Sequence, residues 1–247
     1  MTEHSLLVKS NGMTEYSSIK FLYSSLAEYL VCLRLLSNLC YFNLFCCTFC
    51  CRRFVFRHII AAQDVGVRHC LPYAFTCMNA AALVFYGGNR KDLSVIISNG
   101  FAFFMENVYC VIYLRYSHGW RRILAVTMFM VEIAFLGLLL CLQFVVFSHG
   151  QHPDVRDRVF GSMGAVTAFF MYASTGDEIY RAHMTHNVDG MEMAFAYLGN
   201  AAMWTAYACI PDFDLFLLIA NGIGLLFSFY EAALWIRYRN APNLQAP

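Results

Sequence analysis

At 247 residues the chain is long enough for one or two domains of ordinary size, yet 60% of its residues are hydrophobic and only 13% are charged. Too few polar residues remain to cover a soluble globule, so the composition excludes a soluble protein and indicates a polytopic membrane protein. The formal charge of +1 also excludes the strongly basic surface that nucleic-acid binding requires.

The N-terminal segment is polar and carries no positively charged stretch followed by an apolar one, so we expect no cleavable signal peptide. The first apolar window follows at residues 30–51, where Arg34, Asn38 and Asn43 interrupt it. Cysteines crowd this window: Cys40, Cys46, Cys47, Cys50 and Cys51. They fit three interpretations, namely small buried side chains of a helix, palmitoylation of Cys50 and Cys51 at the membrane edge, and a metal site, for which the accompanying zinc-type spacing is absent.

Six further windows are long enough to cross the hydrocarbon core, which takes about 20 mostly apolar residues. They lie at 70–88, 93–114, 123–147, 159–180, 191–210 and 213–236. We therefore predict seven transmembrane helices joined by short connections.

Basic residues are divided unequally between the two sides of the predicted bundle. The loops after spans 1, 3 and 5 and the C-terminal tail share Arg52, Arg53, Arg57, Arg68, Arg115, Arg121, Arg122, Arg181, Arg237 and Arg239. The opposite side holds fewer: Lys9, Lys20, Arg90, Lys91, Arg156 and Arg158. Because Lys and Arg are enriched in cytoplasmic loops, we predict an extracellular N-terminus and a cytoplasmic C-terminus.

Two parts of the chain repeat each other. Asn79–Tyr86 in the second span matches Asn200–Tyr207 in the sixth, and Ser98–Tyr116 in the third matches Ala220–Tyr238 in the seventh, at offsets of 121 and 122 positions. Spans 1–3 and 5–7 therefore form two copies of a three-helix unit, and span 4 gives both copies the same orientation. Parallel repeats of this kind are typical of transporters whose site lies at the repeat interface.

The repeat predicts an all-α membrane protein with two parallel three-helix bundles joined by a linker helix. The predicted units are an extracellular tail, the first repeat, the linker helix with its loops, the second repeat and a cytoplasmic tail, over residues 1–28, 29–116, 117–158, 159–238 and 239–247.

In these regions the chain resembles the SWEET family of sugar uniporters. The motifs that carry the resemblance keep the family's order and spacing over about residues 56–116 and 159–240: Leu71-Pro72-Tyr73, Asn79, Tyr86-Gly87, Asn99-Gly100, Glu106, Tyr109, Met171-Tyr172-Ala173-Ser174, Thr185, Val188, Asp189, Met191, Trp204-Thr205-Ala206-Tyr207 and Asn221-Gly222-Ile223-Gly224. The resemblance implies facilitative, bidirectional transport of mono- or disaccharide sugars by alternating access, most simply in the plasma membrane. It also implies a sugar as the substrate, a lipid bilayer and other copies of the chain (a homo-oligomer) as partners, and no cofactor or metal.

The resemblance further implies a set of hinge or gate positions, at which family members carry four prolines. The matching positions here are Arg52, Pro72, Thr175 and Glu192, so only Pro72 is a proline. Because proline removes a helix hydrogen bond and permits a kink, its absence at three positions predicts an altered rocking motion.

Asn99 and Asn221 occupy equivalent positions in the two repeats, each within an apolar run. A primary amide offers two donors and an acceptor in one plane, which suits the vicinal hydroxyls of a sugar. An unpaired amide in hydrocarbon costs roughly a few kcal/mol, so both side chains should face the interior. We predict substrate contact, with hydrogen bonding between helices as the alternative.

Four more residues are predicted to contact the substrate. Trp204 offers an apolar face to a sugar ring, and Leu83 is its counterpart in the first repeat; packing or anchoring at the membrane interface is the alternative for Trp204. Asn79 and Asn200 form a second symmetric pair, which either lines the same cavity or bonds between helices.

Acidic residues within the predicted spans raise a further question. Glu106, Glu132 and Glu231 are costly in a membrane and fit either a proton path or hydrogen-bonded helix contacts. Near the cytoplasmic ends, Glu192 and Asp177-Glu178 are predicted to pair with Arg52, Arg57 or Arg181 as a gate.

The leading function is therefore a sugar carrier. Two alternatives stay open: a non-transporting membrane scaffold that keeps the fold, suggested by the missing prolines, and a proton-coupled carrier of another small solute, suggested by Glu106 and Glu231. A seven-helix receptor has no reason to repeat itself. An enzyme is not expected, because no phosphate loop, nucleophile elbow or converging set of metal ligands is evident in the sequence.

Overall fold

The structure is a computed structural model that describes residues 52–53, 55–66, 68–148, 153–189, 191–209 and 213–242. All regular elements in these ranges are helices. The first helix, α1, is described over residues 52–53 and 55–62. The predicted span 30–51, with its cysteines and their palmitoylation, lies outside the described residues.

Seven further helices follow α1 in the described ranges. They are α2 (Leu71–Arg90), α3 (Leu93–Tyr116), α4 (Gly119–Cys141), α5 (Pro153–Ala173), α6 (Gly176–Thr185), α7 (Ala194–Ala208) and α8 (Leu215–Tyr238). A π-helical turn, Leu142–Val146, extends α4, and a 3₁₀ turn, Met191–Met193, leads into α7.

The fifth predicted span differs from the structure. The prediction ran from 159 to 180, whereas α5 begins at Pro153 and ends at Ala173. Proline is favoured in a first helical turn because it needs no hydrogen-bond partner there. At the other end the Ser174 and Thr175 hydroxyls donate to Met171 O and Tyr172 O, at 2.6 and 2.8 Å, a local bond that competes with helix continuation.

Helix packing follows the two repeats. In the first bundle α2 packs along α3, and in the second α8 packs against both α5 and α7. The two bundles meet where α2 packs on α5, and α4 contacts α2 and α3. The largest buried cluster crosses this interface, with Leu83, Phe160, Trp204 and Leu217 among its members.

By length and composition, three described helices are able to cross a membrane: α3, α4 with its π-helical turn, and α8. Large apolar side chains on their outer faces are exposed, including Ile97, Phe104, Ile133, Leu226 and Phe229. Contiguous apolar surface of this kind is unfavourable in water and favourable in lipid, so the outside of the bundle fits a bilayer.

Candidate functional site

A cavity of about 150 Å³ lies between the two bundles. Both repeats contribute to its wall through α1, α2, α3, α5, α7 and α8. The wall includes every predicted site residue whose side chain is described: Asn99, Asn221, Trp204, Leu83, Asn79, Asn200, Pro72, Arg52 and Thr175. Glu192 lies in the 3₁₀ turn before α7, and its side chain is outside the described residues.

Asn99 and Asn221 adopt the same conformation in the two repeats. Each Nδ2 donates to the backbone carbonyl four residues earlier in its own helix, Val95 O and Leu217 O respectively, at 2.9 Å in both cases. This bond holds each amide flat against its helix. Neither amide oxygen accepts a hydrogen bond within the described part of the chain, so both remain available to a ligand in the cavity.

The second asparagine pair is less symmetric. Asn79 Nδ2 donates 2.8 Å to Gly164 O and 3.4 Å to Thr167 Oγ1, both on α5. Asn79 therefore joins the two bundles as well as lining the cavity, which combines the two alternatives left open by the sequence. Asn200 lines the cavity from α7.

Trp204 and Leu83 supply apolar side chains to the cavity wall. Trp204 is 8% exposed and packs edge-to-face on Tyr207, with ring centroids 5.4 Å apart. Leu83, at the equivalent position of the first repeat, packs close to Gly164 of α5, where a Cβ would lie 2.9 Å from Leu83 Cδ2. An aromatic face on one side and an aliphatic side chain on the other give the cavity an asymmetric apolar wall.

We define the upper end of the bundle as the end where α2 and α7 stop and α3 and α8 begin. Two tyrosine–aspartate pairs, each with one residue from each repeat, join the repeats there. Tyr86 of α2 donates to both carboxylate oxygens of Asp214, at 2.9 and 2.8 Å, and Tyr207 of α7 donates to Asp92 Oδ2 at 2.7 Å. Each aspartate also caps the helix that follows it, accepting backbone N–H bonds of α3 or α8.

These upper contacts separate two spaces. A second depression of about 400 Å³ is lined by Tyr86, Asp214, Arg90 and Asp157, among others. The central cavity instead includes Leu83 and Leu217, each about one helical turn below. The Tyr86–Asp214 pair therefore stands between the upper depression and the central cavity.

At the lower end, Arg52 joins the repeats. Its guanidinium forms an ion pair with Glu106 of α3 and donates 3.0 Å to the Tyr197 hydroxyl of α7. It also lies 5.3 Å from the Tyr73 ring centroid, within cation–π range. Arg52 is 7% exposed, so burial makes this pairing obligatory.

Arg52 and Asp177 have described partners other than the predicted ones, whereas Glu178 interacts with Arg181 as predicted. Arg52 pairs with Glu106, and Asp177 pairs with His69 at 3.1 Å. Arg181 donates to Asp189 O at 2.7 Å. In α6, the Glu178 carboxylate lies near both Arg181 and the Glu231 carboxylate of α8. The rotation of each helix about its own axis decides which side chains meet, and no pattern in the sequence predicts that rotation.

The hinge positions stay a prediction. Pro72 lies in the first turn of α2, where its missing N–H breaks no helix hydrogen bond. Thr175 lies in the break between α5 and α6, so the helix is interrupted there without a proline.

Sequence reasoning missed Asp92 and Asp214 as partners of Tyr86 and Tyr207. A signal was present, because both aspartates precede a leucine and stand 122 positions apart, at the offset of the repeat. Of the three glutamates, Glu106 and Glu231 line the cavity, whereas Glu132 is not among the residues that line it.

Comparison with known proteins agrees with this geometry. A family model described as "sugar efflux transporter for intercellular exchange" matches residues 34–120 and 158–243. The chain belongs to this family, the SWEET transporters. The two matched segments leave out most of α4, which lies between the repeats.

Several SWEET relatives are similar along most of the chain. The bidirectional sugar transporter SWEET7 of Arabidopsis thaliana is 30% identical over 74% of this chain and 72% of its own length. SWEET7b of Oryza sativa subsp. indica is 29% identical over 77% of this chain and 72% of its own length. A solved structure of a eukaryotic SWEET transporter superposes with a TM-score of 0.64 at 18% identity, covering 83% of this chain and 99% of that one.

Family and fold class are therefore confirmed: an all-α membrane protein with two parallel three-helix bundles joined by a linker helix. The described helices account for six of the seven predicted spans, with α5 and α6 together at the fifth, and the first span lies outside the described residues. SWEET proteins are a family of transporters rather than of enzymes. The residue bounds predicted for the five units stay a prediction.

Proposed function

We propose that this SWEET protein carries mono- or disaccharide sugars across the membrane in both directions by alternating access. The observation that carries the proposal is the pair Asn99 and Asn221, which presents two equivalent amides from the two repeats to one cavity. Similar proteins named bidirectional sugar transporters support the substrate class.

The substrate binds with its hydroxyls toward the two amides and its ring beside Trp204. Amides in a partly apolar cavity replace the hydrogen bonds that the sugar loses on leaving water. The cavity volume of about 150 Å³ is similar to that of a cavity that holds a single six-membered ring, so this volume favours one sugar ring over two. Movement is downhill and involves no covalent step.

Alternating access arises from the contacts at the two ends. The Tyr86–Asp214 and Tyr207–Asp92 bonds hold the upper end closed, and Arg52 with Tyr197 links the bundles at the lower end. Breaking one set while keeping the other lets the bundles rock about the central cavity.

We propose that the upper end is extracellular, with the C-terminus in the cytoplasm, because arginines concentrate at the opposite end. We also propose the plasma membrane as its location, since the matching family model is described as serving intercellular exchange. Assembly into a homo-oligomer remains a prediction from the family resemblance.

Flux of labelled sugars into proteoliposomes tests the function. The purified full-length chain is reconstituted into liposomes. Uptake of glucose, fructose and sucrose is followed until the sugar concentration is equal on the two sides of the membrane. We expect saturable, bidirectional flux that is faster for the monosaccharides and unaffected by pH or membrane potential.

The other functions are outcomes of the same assay. Flux that follows a proton gradient would favour the coupled carrier. Absence of flux for every sugar, from protein verified as folded and correctly inserted, would overturn transport and favour the scaffold.

A further inference from the structure

Outside the sugar cavity, three metal-ligating side chains converge within the first bundle. Cys77 of α2, Cys110 of α3 and Glu132 of α4 place one ligand atom each within 4.8 Å of one another. Cys77 and Glu132 are buried and Cys110 is half-buried, and both cysteines are free thiols. None of the three lines the cavity between the bundles.

Glu132 is the informative member of this cluster. It is 4% exposed, and neither of its buried carboxylate oxygens has a hydrogen-bond partner of acceptable geometry in the described part of the chain. The carboxyl faces the Cys77 thiol and the Asn107 amide. A buried carboxyl that accepts no well-formed hydrogen bond is costly within a membrane, and a bound cation would offset that cost.

The donor atoms define the kind of ion. Two thiols favour a soft or borderline metal and exclude Mg²⁺ and Ca²⁺, which prefer all-oxygen sites. The carboxylate is a harder ligand, which favours Zn²⁺ over Cu⁺. Zn²⁺ accepts mixed sulfur and oxygen ligands in a tetrahedral arrangement.

The geometry is close to that arrangement. With Zn–S distances of about 2.3 Å, tetrahedral ligand atoms are separated by roughly 3.5 to 3.8 Å, so side-chain adjustments of about 1 Å would close the site. A cavity of about 20 Å³ adjoins Cys110 and Glu132, enough for about one water molecule as the fourth ligand. Its lining extends to Cys70, just before the start of α2.

A neighbouring amide supports the cluster. Asn107 Nδ2 lies 3.6 Å from Cys77 Sγ and 2.8 Å from Phe103 O. An N–H directed at a sulfur stabilises the thiolate form that binds metal and fixes its orientation.

We propose that Cys77, Cys110 and Glu132 form a Zn²⁺ site that ties the linker helix α4 to α2 and α3. The cysteines bind as thiolates and Glu132 as a carboxylate, so the protons that these three groups carry leave to solvent as the ion binds, and no electron transfer is involved. The site is independent of the sugar cavity, so it stands or falls separately from sugar transport.

The test uses the full-length protein in detergent, stripped with a chelator under reducing conditions and titrated with Zn²⁺ and with Co²⁺ as a spectroscopic probe. Thiolate-to-Co²⁺ charge-transfer absorption reports the sulfur ligands. We expect Cys77→Ser, Cys110→Ser and Glu132→Gln each to lose the same single metal equivalent, and Asn107→Ala to weaken binding about tenfold.

The exposed cysteines supply the matched controls Cys141→Ser and Cys209→Ser, which should bind as the wild type does.

Glu132→Gln is the deciding variant, because it preserves shape and leaves every cysteine in place, including those before Arg52 that lie outside the described residues. Zn²⁺ should raise the melting temperature of the wild type and of Cys141→Ser but not that of Glu132→Gln. Unchanged metal stoichiometry and Co²⁺ spectrum in Glu132→Gln would overturn the site, as would failure of the reduced wild type to bind Zn²⁺.

Discussion

Asn99 and Asn221 are the residues that we propose contact the substrate, one from each repeat. Each amide donates one N–H to its own helix, and both side chains line the cavity. If each amide also bonds the sugar, removing one deletes a neutral hydrogen bond, worth about 0.5–1.5 kcal/mol.

We therefore expect Asn99→Ala and Asn221→Ala each to weaken sugar binding about 3- to 10-fold, and the double variant to abolish measurable flux. Half-saturating sugar concentrations in proteoliposomes give the measurement. Thr127→Ala, which removes an exposed hydroxyl from α4, is the control. Flux kinetics of the double variant equal to those of the wild type would argue against substrate contact.

Arg52 is a second residue whose substitution should change stability strongly, because its charge is buried against Glu106. Arg52→Met leaves the carboxylate without its partner, and we expect a loss of about 3 kcal/mol or more in the free energy of unfolding. Adding Glu106→Gln should restore most of that loss. Melting temperatures in detergent test this, with the exposed Arg122→Met as control; a single variant as stable as the wild type would contradict the ion pair.

At the scale of helices, small residues let α5 approach its neighbours. A Cβ on Gly161 would lie 2.5 Å from Phe216 Cγ and 3.0 Å from Phe216 Cβ of α8. These are the inner atoms of the side chain, which cannot move away without shifting the helix.

We expect Gly161→Ala to destabilise the second bundle by about 1–3 kcal/mol, as overpacked cores do. The matched control is Gly137→Ala on the outer face of α4, where no heavy atom lies within 4 Å of the added Cβ. The control should be neutral or slightly stabilising, because alanine favours helix. Thermal unfolding of both variants gives the comparison, and equal melting temperatures would exclude close packing of α5 on α8.

At the scale of the whole molecule, we propose that the paired upper contacts set which side of the membrane reaches the cavity. Tyr86 donates to an aspartate of the other repeat, so Tyr86→Phe removes a hydrogen bond to a charged group, worth about 1.5–3 kcal/mol. The equilibrium should shift about 10- to 100-fold toward an open upper end.

Labelling measures that shift. With Leu83→Cys as the reporter in the cavity, an impermeant thiol reagent applied from the upper side should react faster when Tyr86→Phe is also present. Tyr113→Phe removes a buried hydroxyl bond to Arg68 O at the lower end and serves as the control. Equal labelling rates in all three backgrounds would mean that the Tyr86–Asp214 pair does not close the cavity.

The sequence alone determined the membrane class, the repeat and nine of the residues that line the cavity. The repeat succeeded because two copies of one unit with the same orientation bring equivalent positions, such as Asn99 and Asn221, to one interface. Span ends were close for most helices, since apolar length is set by bilayer thickness. The break after Ala173 was missed because its cause is local hydrogen bonding by Ser174 and Thr175.

Only the tertiary structure decided which groups meet across helices. In a membrane both the protein core and the lipid are apolar, so hydrophobic periodicity does not mark which face of a helix turns inward. The Arg52–Glu106 pair, the Tyr86–Asp214 and Tyr207–Asp92 bonds, and the Cys77–Cys110–Glu132 cluster all depend on that rotation. Residues far apart in the chain become partners only after the helices have packed.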